Sequence, residues 1–275
     1  MSASRVGRGP ETGSILGTRY ERTGAGTPVV LVHGVGLASA AWGPVARTLA
    51  DRHEVIAIDM PGHGGSALAE PGAGLPAFAR RIAEVLDHLG VPAAHLAGHS
   101  MGALVVLEAA LAYPARVHSV TAMSAVYCRS LAQRAAVEQR AEALAAGEAP
   151  IGSPATIARW FGDPVPAPLA SAAALCARLL DATDPAGYAH AYRLFAAGDR
   201  AHEGRLQEIA CPALYLTGEH DPNSTPAMAA AMACATPRGE LRIIAGARHM
   251  VALTAPEAVA SALGAFLARV DRTRD

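Results

Sequence analysis

His95-Leu96-Ala97-Gly98-His99-Ser100-Met101-Gly102 is the stretch on which the fold turns. Its first four residues read as a short buried strand, and Met101–Ala112 reads as an apolar helix that stops near Pro114. Gly98-His99-Ser100-Met101-Gly102 joins them, a G-x-S-x-G sequence in the strand–turn–helix setting that a nucleophile elbow requires. The glycines allow a tight, strained turn that packs closely, so that the serine hydroxyl stands clear of the sheet edge. The start of a helix also favours developing negative charge. A glycine-rich turn in which Ser100 merely caps the helix is the plainer reading, and the strand and helix on either side weigh against it.

Working outward, Val29-Val30-Leu31-Val32 and Val55-Ile56-Ala57-Ile58 are further buried strands, ending at His33-Gly34 and at Asp59-Met60-Pro61-Gly62. Residues 42–50 can form a helix between them, and in 75–89 Phe78, Ile82, Val85, Leu86 and Leu89 recur at helical spacing. Val117–Met123 reads as another strand. The alternation predicts an α/β fold with a mostly parallel central sheet and helices on both faces. From about 125 to 205 the strands stop, and helices are separated by Pro150, Pro154, Pro164, Pro166, Pro168 and Pro185. Alternation then resumes with a strand at 213–217, a helix over Pro226–Ala235, a strand at 241–244 and an amphipathic helix from Pro256 to about Val270. The expected division is a core of residues 1–124 and 206–275, with 125–205 inserted as a helical cap or lid.

A serine hydroxyl is a weak nucleophile at neutral pH and needs a base, with a third group to orient that base. After the strand at 213–217, Gly218-Glu219-His220-Asp221-Pro222 puts Asp221 at the carboxyl end of a strand, where ligands approach open α/β sheets. Glu219 is the neighbouring alternative. Gly246-Ala247-Arg248-His249-Met250 places His249 on the loop before the last helix, completing the chain order Ser, Asp, His. The expected triad is Ser100, His249 and Asp221. Backbone donors for an oxyanion are expected from the amides of Met101 and Val35, with Gly36 as the alternative to Val35. His33 is read as a brace for its loop, and Asp59 and His63 as structural residues of a turn-rich segment.

Composition narrows the function. Lys+Arg total 23 against 24 acidic residues, a net charge of −1 with no block of like charge, so nucleic acid is not an expected partner. No apolar run is long enough for a membrane span, since the best candidate, near residues 103–112, is interrupted by Glu108. Arg5 and Arg8 run into Gly9-Pro10-Glu11 rather than an apolar stretch, so the reading is of a soluble, cytoplasmic protein without an export signal. Cys128, Cys176, Cys211 and Cys234 are widely spaced and are expected to be reduced, buried and inert. All 23 basic residues are arginines, which excludes Schiff-base lysine chemistry and a lysine-dependent phosphate loop. No metal or cofactor is expected; the partner is a small acyl substrate, and a homo-oligomer is left open.

Taken in order, the His33-Gly34 loop, the Asp59–Ser66 turn, the elbow at 98–102, the Gly218–Pro222 turn and the Arg248-His249 loop resemble the α/β-hydrolase superfamily from about Val29 to Val270. Within it the chain resembles 3-oxoadipate enol-lactonases and related catabolic hydrolases, on Val55–Ser66, Arg159-Trp160-Phe161, Asp184-Pro185-Ala186-Gly187-Tyr188 and Cys211–Pro226. Ala103 departs from the further glycine common there and leaves the elbow intact. The resemblance implies hydrolysis of a small carboxylic ester or lactone. Dehalogenases and epoxide hydrolases of the superfamily use Asp as nucleophile, whereas Ser100 points to an acyl-enzyme. An amide or a C–C bond beside a ketone can be cleaved by the same triad, and cofactor-free peroxidase chemistry occurs among relatives. A binding protein that kept the fold and lost the chemistry would show degenerate catalytic positions, and none is degenerate here. Trp160, Tyr127, Tyr188, His190, Tyr192 and Arg193 of the cap are candidates to line a pocket, with core packing the alternative for each. A lactone carrying a carboxylate would want an arginine there, such as Arg129 or Arg193. Residues 125–205 hold eight arginines against eight acidic residues, so no general positive field is expected.

Overall fold

Why the strands read as unbroken apolar runs is clear from the computed structural model, which describes residues 8–152 and 154–274; the first seven residues (Arg5 among them), Ser153 and Asp275 lie outside the described residues. In β3 (Thr27–Val32), Val30 and Val32 enter one core cluster and Val29 and Leu31 the other. The same alternation holds in β4 (His53–Ile58), where Ile56 and Ile58 face away from Val55 and Ala57. These strands are buried on both faces, as a parallel sheet covered by two helical layers demands. One layer holds α2 (Leu75–His88), α3 (Met101–Ala112) and α8 (Pro226–Ala235), and the other α1 (Gly43–Leu49), α9 (Val251–Thr254) and α10 (Pro256–Arg272).

The remaining strands are β1 (Arg8–Ile15), β2 (Thr18–Gly24), β5 (Ala94–His99), β6 (Val117–Met123), β7 (Ala213–Gly218) and β8 (Gly239–Ile244). They form one eight-stranded sheet in the order β1-β2-β4-β3-β5-β6-β7-β8. Every pairing from β4 to β8 is parallel; β2 is antiparallel to both β1 and β4. The β1–β2 hairpin is absent from the sequence-based expectation. Its β2 strand, Thr18-Arg19-Tyr20-Glu21-Arg22-Thr23-Gly24, is only half-buried and has no apolar run, and Pro10 in β1 is tolerated because β1 is an edge strand.

Between β6 and β7 the described chain has only helices: α4 (Leu131–Ala145), α5 (Pro154–Phe161), α6 (Ala170–Ala182), α7 (Pro185–Ala197) and short 3-10 turns. Trp160, Phe161, Cys176, Leu180 and Tyr188 build a third apolar cluster there, which closes onto Leu37, Met250 and Leu253 of the sheet-bearing part. Chain direction across the sheet reverses between β3 and β5, so the loops after these strands diverge at a topological switch point. Among the described residues no helix is long and apolar enough to cross a membrane.

Candidate active site

Ser100 sits at that switch point, between the last residue of β5 and the first of α3. Its φ of 57° and ψ of −114° lie where a side chain other than glycine is strained, by about 1–3 kcal/mol. The strain is held by packing. A Cβ on Gly98 would stand 2.1 Å from the carbonyl oxygen of Gly102, and one on Gly102 would stand 2.2 Å from that of Val32. Both glycines are therefore required by close backbone approach, the elbow folding on itself and against the end of β3. The Ser100 amide donates to Met123 O at 2.8 Å, and the hydroxyl does not cap α3.

His249 follows β8, and its Nδ1 lies 2.9 Å from Asp221 Oδ2. Asp221 Oδ1 accepts from the amides of Asn223 and Ser224 at 2.9 and 3.0 Å. Burial alone would raise the Asp221 pKa, but attraction to His249, its hydrogen bond and the two amides outweigh burial and hold the carboxyl below its ordinary value. Glu219 is exposed and accepts from the Gly246 amide at 2.8 Å, so it braces the histidine loop from outside. Of the two carboxylates, Asp221 is the one against His249.

Two further histidines interlock the loops after β3 and β4. The Met60 amide donates to His33 Nε2 at 2.9 Å, while the Gly36 amide donates to His63 Nε2 at 2.9 Å. Both rings are buried and neutral; burial lowers the pKa of His33 and takes that of His63 to about 3. The Gly36 amide is thereby committed to His63, which leaves Val35 as the candidate donor of that loop. Asp59 accepts from Ser39 and Gly65 amides and from Arg19, which anchors the turn.

Ser100 and His249 open into one cavity of about 480 Å³, with Gly34 and Val35 on one side and α4, α5 and α7 above. Trp160 and Tyr188 line it as expected, and the Trp160 ring lies 6.2 Å from that of His249. Tyr127 and Arg193 do not line it. Tyr127 is half-buried against the core, and Arg193 faces a separate cavity of about 400 Å³ with His190. The reason is helical phase: α7 turns Tyr188, Tyr192 and Phe195 to the first cavity, and Arg193 is one step, about 100°, further round. Arg129, Arg140 and Arg159 all reach the first cavity, and among the described residues no carboxylate lines it. Arg140 and Arg159 were not among the sequence candidates, although Gln133, Val137 and Arg140 share one helical face of α4. Arg129 stacks 4.4 Å over Phe195, donates Nη1 to Ala196 O and is ion-paired with the buried Asp199 at 3.8 Å, while its buried Nη2 has no hydrogen-bond partner among the described residues.

The cysteines divide: Cys176 and Cys211 are buried, with burial raising their thiols to about 12 and about 11, whereas Cys128 and Cys234 are exposed rather than buried as expected.

Residues 27–256 match the family described as the alpha/beta hydrolase fold. The chain belongs to the α/β-hydrolase family. This α/β hydrolase is 40% identical over 248 residues, 90% of its own length and 93% of the relative's, to (E)-2-((N-methylformamido)methylene)succinate hydrolase of Acinetobacter baylyi. It is 28% identical over 197 residues, 72% of each chain, to 3-oxoadipate enol-lactonase 1 of the same organism. Its backbone matches a thermophilic esterase from Thermogutta terrifontis, in a malate-bound structure, with a TM-score of 0.83 at 26% identity, over 96% of this chain and 99% of that one. The resemblance to enol-lactonases and related hydrolases stands, within a family of hydrolases that also includes a hydrolase of a substituted succinate.

Proposed function

We propose that this α/β hydrolase cleaves a small acyl substrate bearing at least one carboxylate, through an acyl-enzyme on Ser100. The observation that carries the reading is one cavity holding Ser100, His249 backed by Asp221, and three arginines with no carboxylate among them. His249 Nε2 takes the Ser100 proton as Oγ attacks the acyl carbon, and Asp221 fixes the Nδ1–H tautomer and stabilises the imidazolium. The amides of Val35 and Met101 donate to the tetrahedral oxyanion, an effect worth about 10²–10³ in rate per donor. His249 then protonates the leaving group, and water activated by the same base releases the acid.

The arginines suit an anionic substrate, since charge-assisted bonds from guanidinium to carboxylate are strong and directional. Helices α4–α7 act as the cap that excludes water from this contact. As to the bond cleaved, the relative with 40% identity is by its name a hydrolase of a succinate carrying an N-methylformamido group, which favours an amide. The enol-lactonase at 28% identity supports the lactone reading that the sequence put first. The amide on a dicarboxylate has the stronger support.

The test is p-nitrophenol release from p-nitrophenyl acetate and p-nitrophenyl hemisuccinate by wild type and Ser100→Ala, with mass spectrometry after a phosphonofluoridate. Turnover and a Ser100 adduct, both lost in a folded Ser100→Ala variant, are expected. A wild type that neither turns over nor takes up the probe refutes the reading.

A further inference from the structure

The elbow explains both of its glycines and its serine, but His99 has no task in it, although the ring is 4% exposed and lines the cavity. Its Nε2 lies 2.9 Å from the backbone carbonyl oxygen of His249. A carbonyl only accepts, so Nε2 carries the proton and Nδ1 is bare. Nδ1 packs beside Gly34, where a Cβ would come within 3.2 Å of it. Burial, helped by repulsion from His249, takes the His99 pKa down to about 3, so this neutral donor is unchanged across neutral pH. Ser124 Oγ donates to the same carbonyl at 3.3 Å. The two imidazole rings lie 5.0 Å apart.

The loop that carries His249 explains the need for such an anchor. It leaves β8, which lies at the edge of the sheet and three strands from β5. At about 4.8 Å per strand the loop must reach back roughly 14 Å to bring the base to the serine. At its start Gly246, at φ +66°, is braced from outside by the exposed Glu219 carboxylate. Asp221 holds the imidazole and the His220 amide donates to Ala247 O at 2.9 Å, but both ties run to the loop after β7 and neither runs to the serine. A misplacement of about 1 Å at a reacting group costs on the order of a hundredfold in rate.

We infer that His99 is a positioning residue, a neutral donor that ties the main chain of His249 to the residue beside Ser100, so that this hydrogen bond, seconded by that of Ser124, sets the spacing of nucleophile and base. The inference rests on the serine-hydrolase reading above. It assigns the position before the serine a task separate from both glycines, and it makes the histidine loop dependent on β5 and β6 as well as on Asp221.

Stopped-flow acylation by p-nitrophenyl acetate separates substrate affinity from the acylation rate constant. His99→Met and His99→Ala are expected to slow acylation by between about tenfold and about a hundredfold with affinity unchanged within about twofold. His99→Gln, whose amide nitrogen reaches the place of Nε2, is expected to restore acylation to within about threefold of wild type, a difference smaller than one neutral hydrogen bond. Ser124→Ala is expected to slow acylation by a few fold. A His99→Met variant that acylates like wild type, or a His99→Gln variant as slow as His99→Met when both melt at the native temperature, overturns the inference. Should the His99 variants not fold, Ser124→Ala decides: slower acylation at unchanged affinity supports the anchor, and an unchanged rate overturns it. Wild type without acylation or a Ser100 adduct overturns the underlying reading, and this inference with it.

Discussion

Replacing Asp221 by Asn keeps the size of the side chain and is expected to destroy the reaction. Asp221 Oδ1 accepts two backbone amides, from Asn223 and Ser224, while Oδ2 faces His249 Nδ1 at 2.9 Å. Those two amides can be satisfied only by a carbonyl oxygen, so they force the asparagine to turn its NH2 toward the imidazole. An NH2 group donates, and Nδ1 must then be bare to accept. The imidazole proton moves to Nε2, the nitrogen that has to be free to take the Ser100 proton. In a serine-protease triad the same exchange costs about 10⁴ in kcat, equivalent to about 5 kcal/mol of barrier, and a loss of that order is expected here. Glu219→Gln is the control, because a glutamine can still accept from the Gly246 amide; its rate is expected to stay within about twofold of wild type. Single-turnover acylation measures both, with thermal melting to show that each is folded. An Asp221→Asn variant acylating within tenfold of wild type would refute the tautomer argument, and loss of acylation in Glu219→Gln alone would transfer the role to Glu219.

Gly102→Ala drives a methyl group into the Val32 carbonyl, where backbone cannot yield cheaply, and should cost roughly 3 kcal/mol in urea unfolding; a loss below about 0.5 kcal/mol would show that the elbow relaxes. Arg140→Met should lower the ratio of kcat/KM for p-nitrophenyl hemisuccinate over p-nitrophenyl acetate by about tenfold, the worth of one charge-assisted hydrogen bond, and an unchanged ratio would remove Arg140 from carboxylate recognition. Stability should fall in mild acid. Burial, the largest cause in each case, holds His63 and His99 to pKa values of about 3 and His95 to about 4, against about 6.5 in an unfolded chain. Between those values the unfolded chain binds protons that the folded one does not, so this stability is complete above about pH 6.5 and is lost as pH drops toward 4. Near pH 5, unfolding should take up about one proton at each of these three sites, a slope of about 4 kcal/mol per pH unit. Urea midpoints that do not change between pH 7.5 and 5 would contradict the burial of neutral histidines.

The doubly buried strands announce themselves in sequence because each residue meets a core on one side or the other, and the loops at their carboxyl ends follow from the alternation. Ser100, Asp221 and the His33-Gly34 loop were therefore legible, since each lies at the end of such a strand; His249 follows the largely exposed edge strand β8 and was legible from the chain order Ser, Asp, His. The β1–β2 hairpin was not, because an edge hairpin buries too little for a pattern; it gains its place by pairing with β4.

The choice between Asp221 and Glu219 is two residues of loop, and only the path of the chain after β7 turns one to His249 and the other to solvent. The same holds for the loop after β3, where His63 takes the Gly36 amide from 27 residues away. In the helical segment, eight arginines against eight acidic residues predicted no field, yet folding sorts three arginines and no carboxylate onto one cavity. Sequence determined the succession of strands and helices along the chain from β3 onward and the residues at their ends, because burial imposes a period on the chain. Which helix face meets the cavity, and so the charge that lines it, was decided only in the tertiary structure, because one residue of helical phase turns a side chain by about 100°.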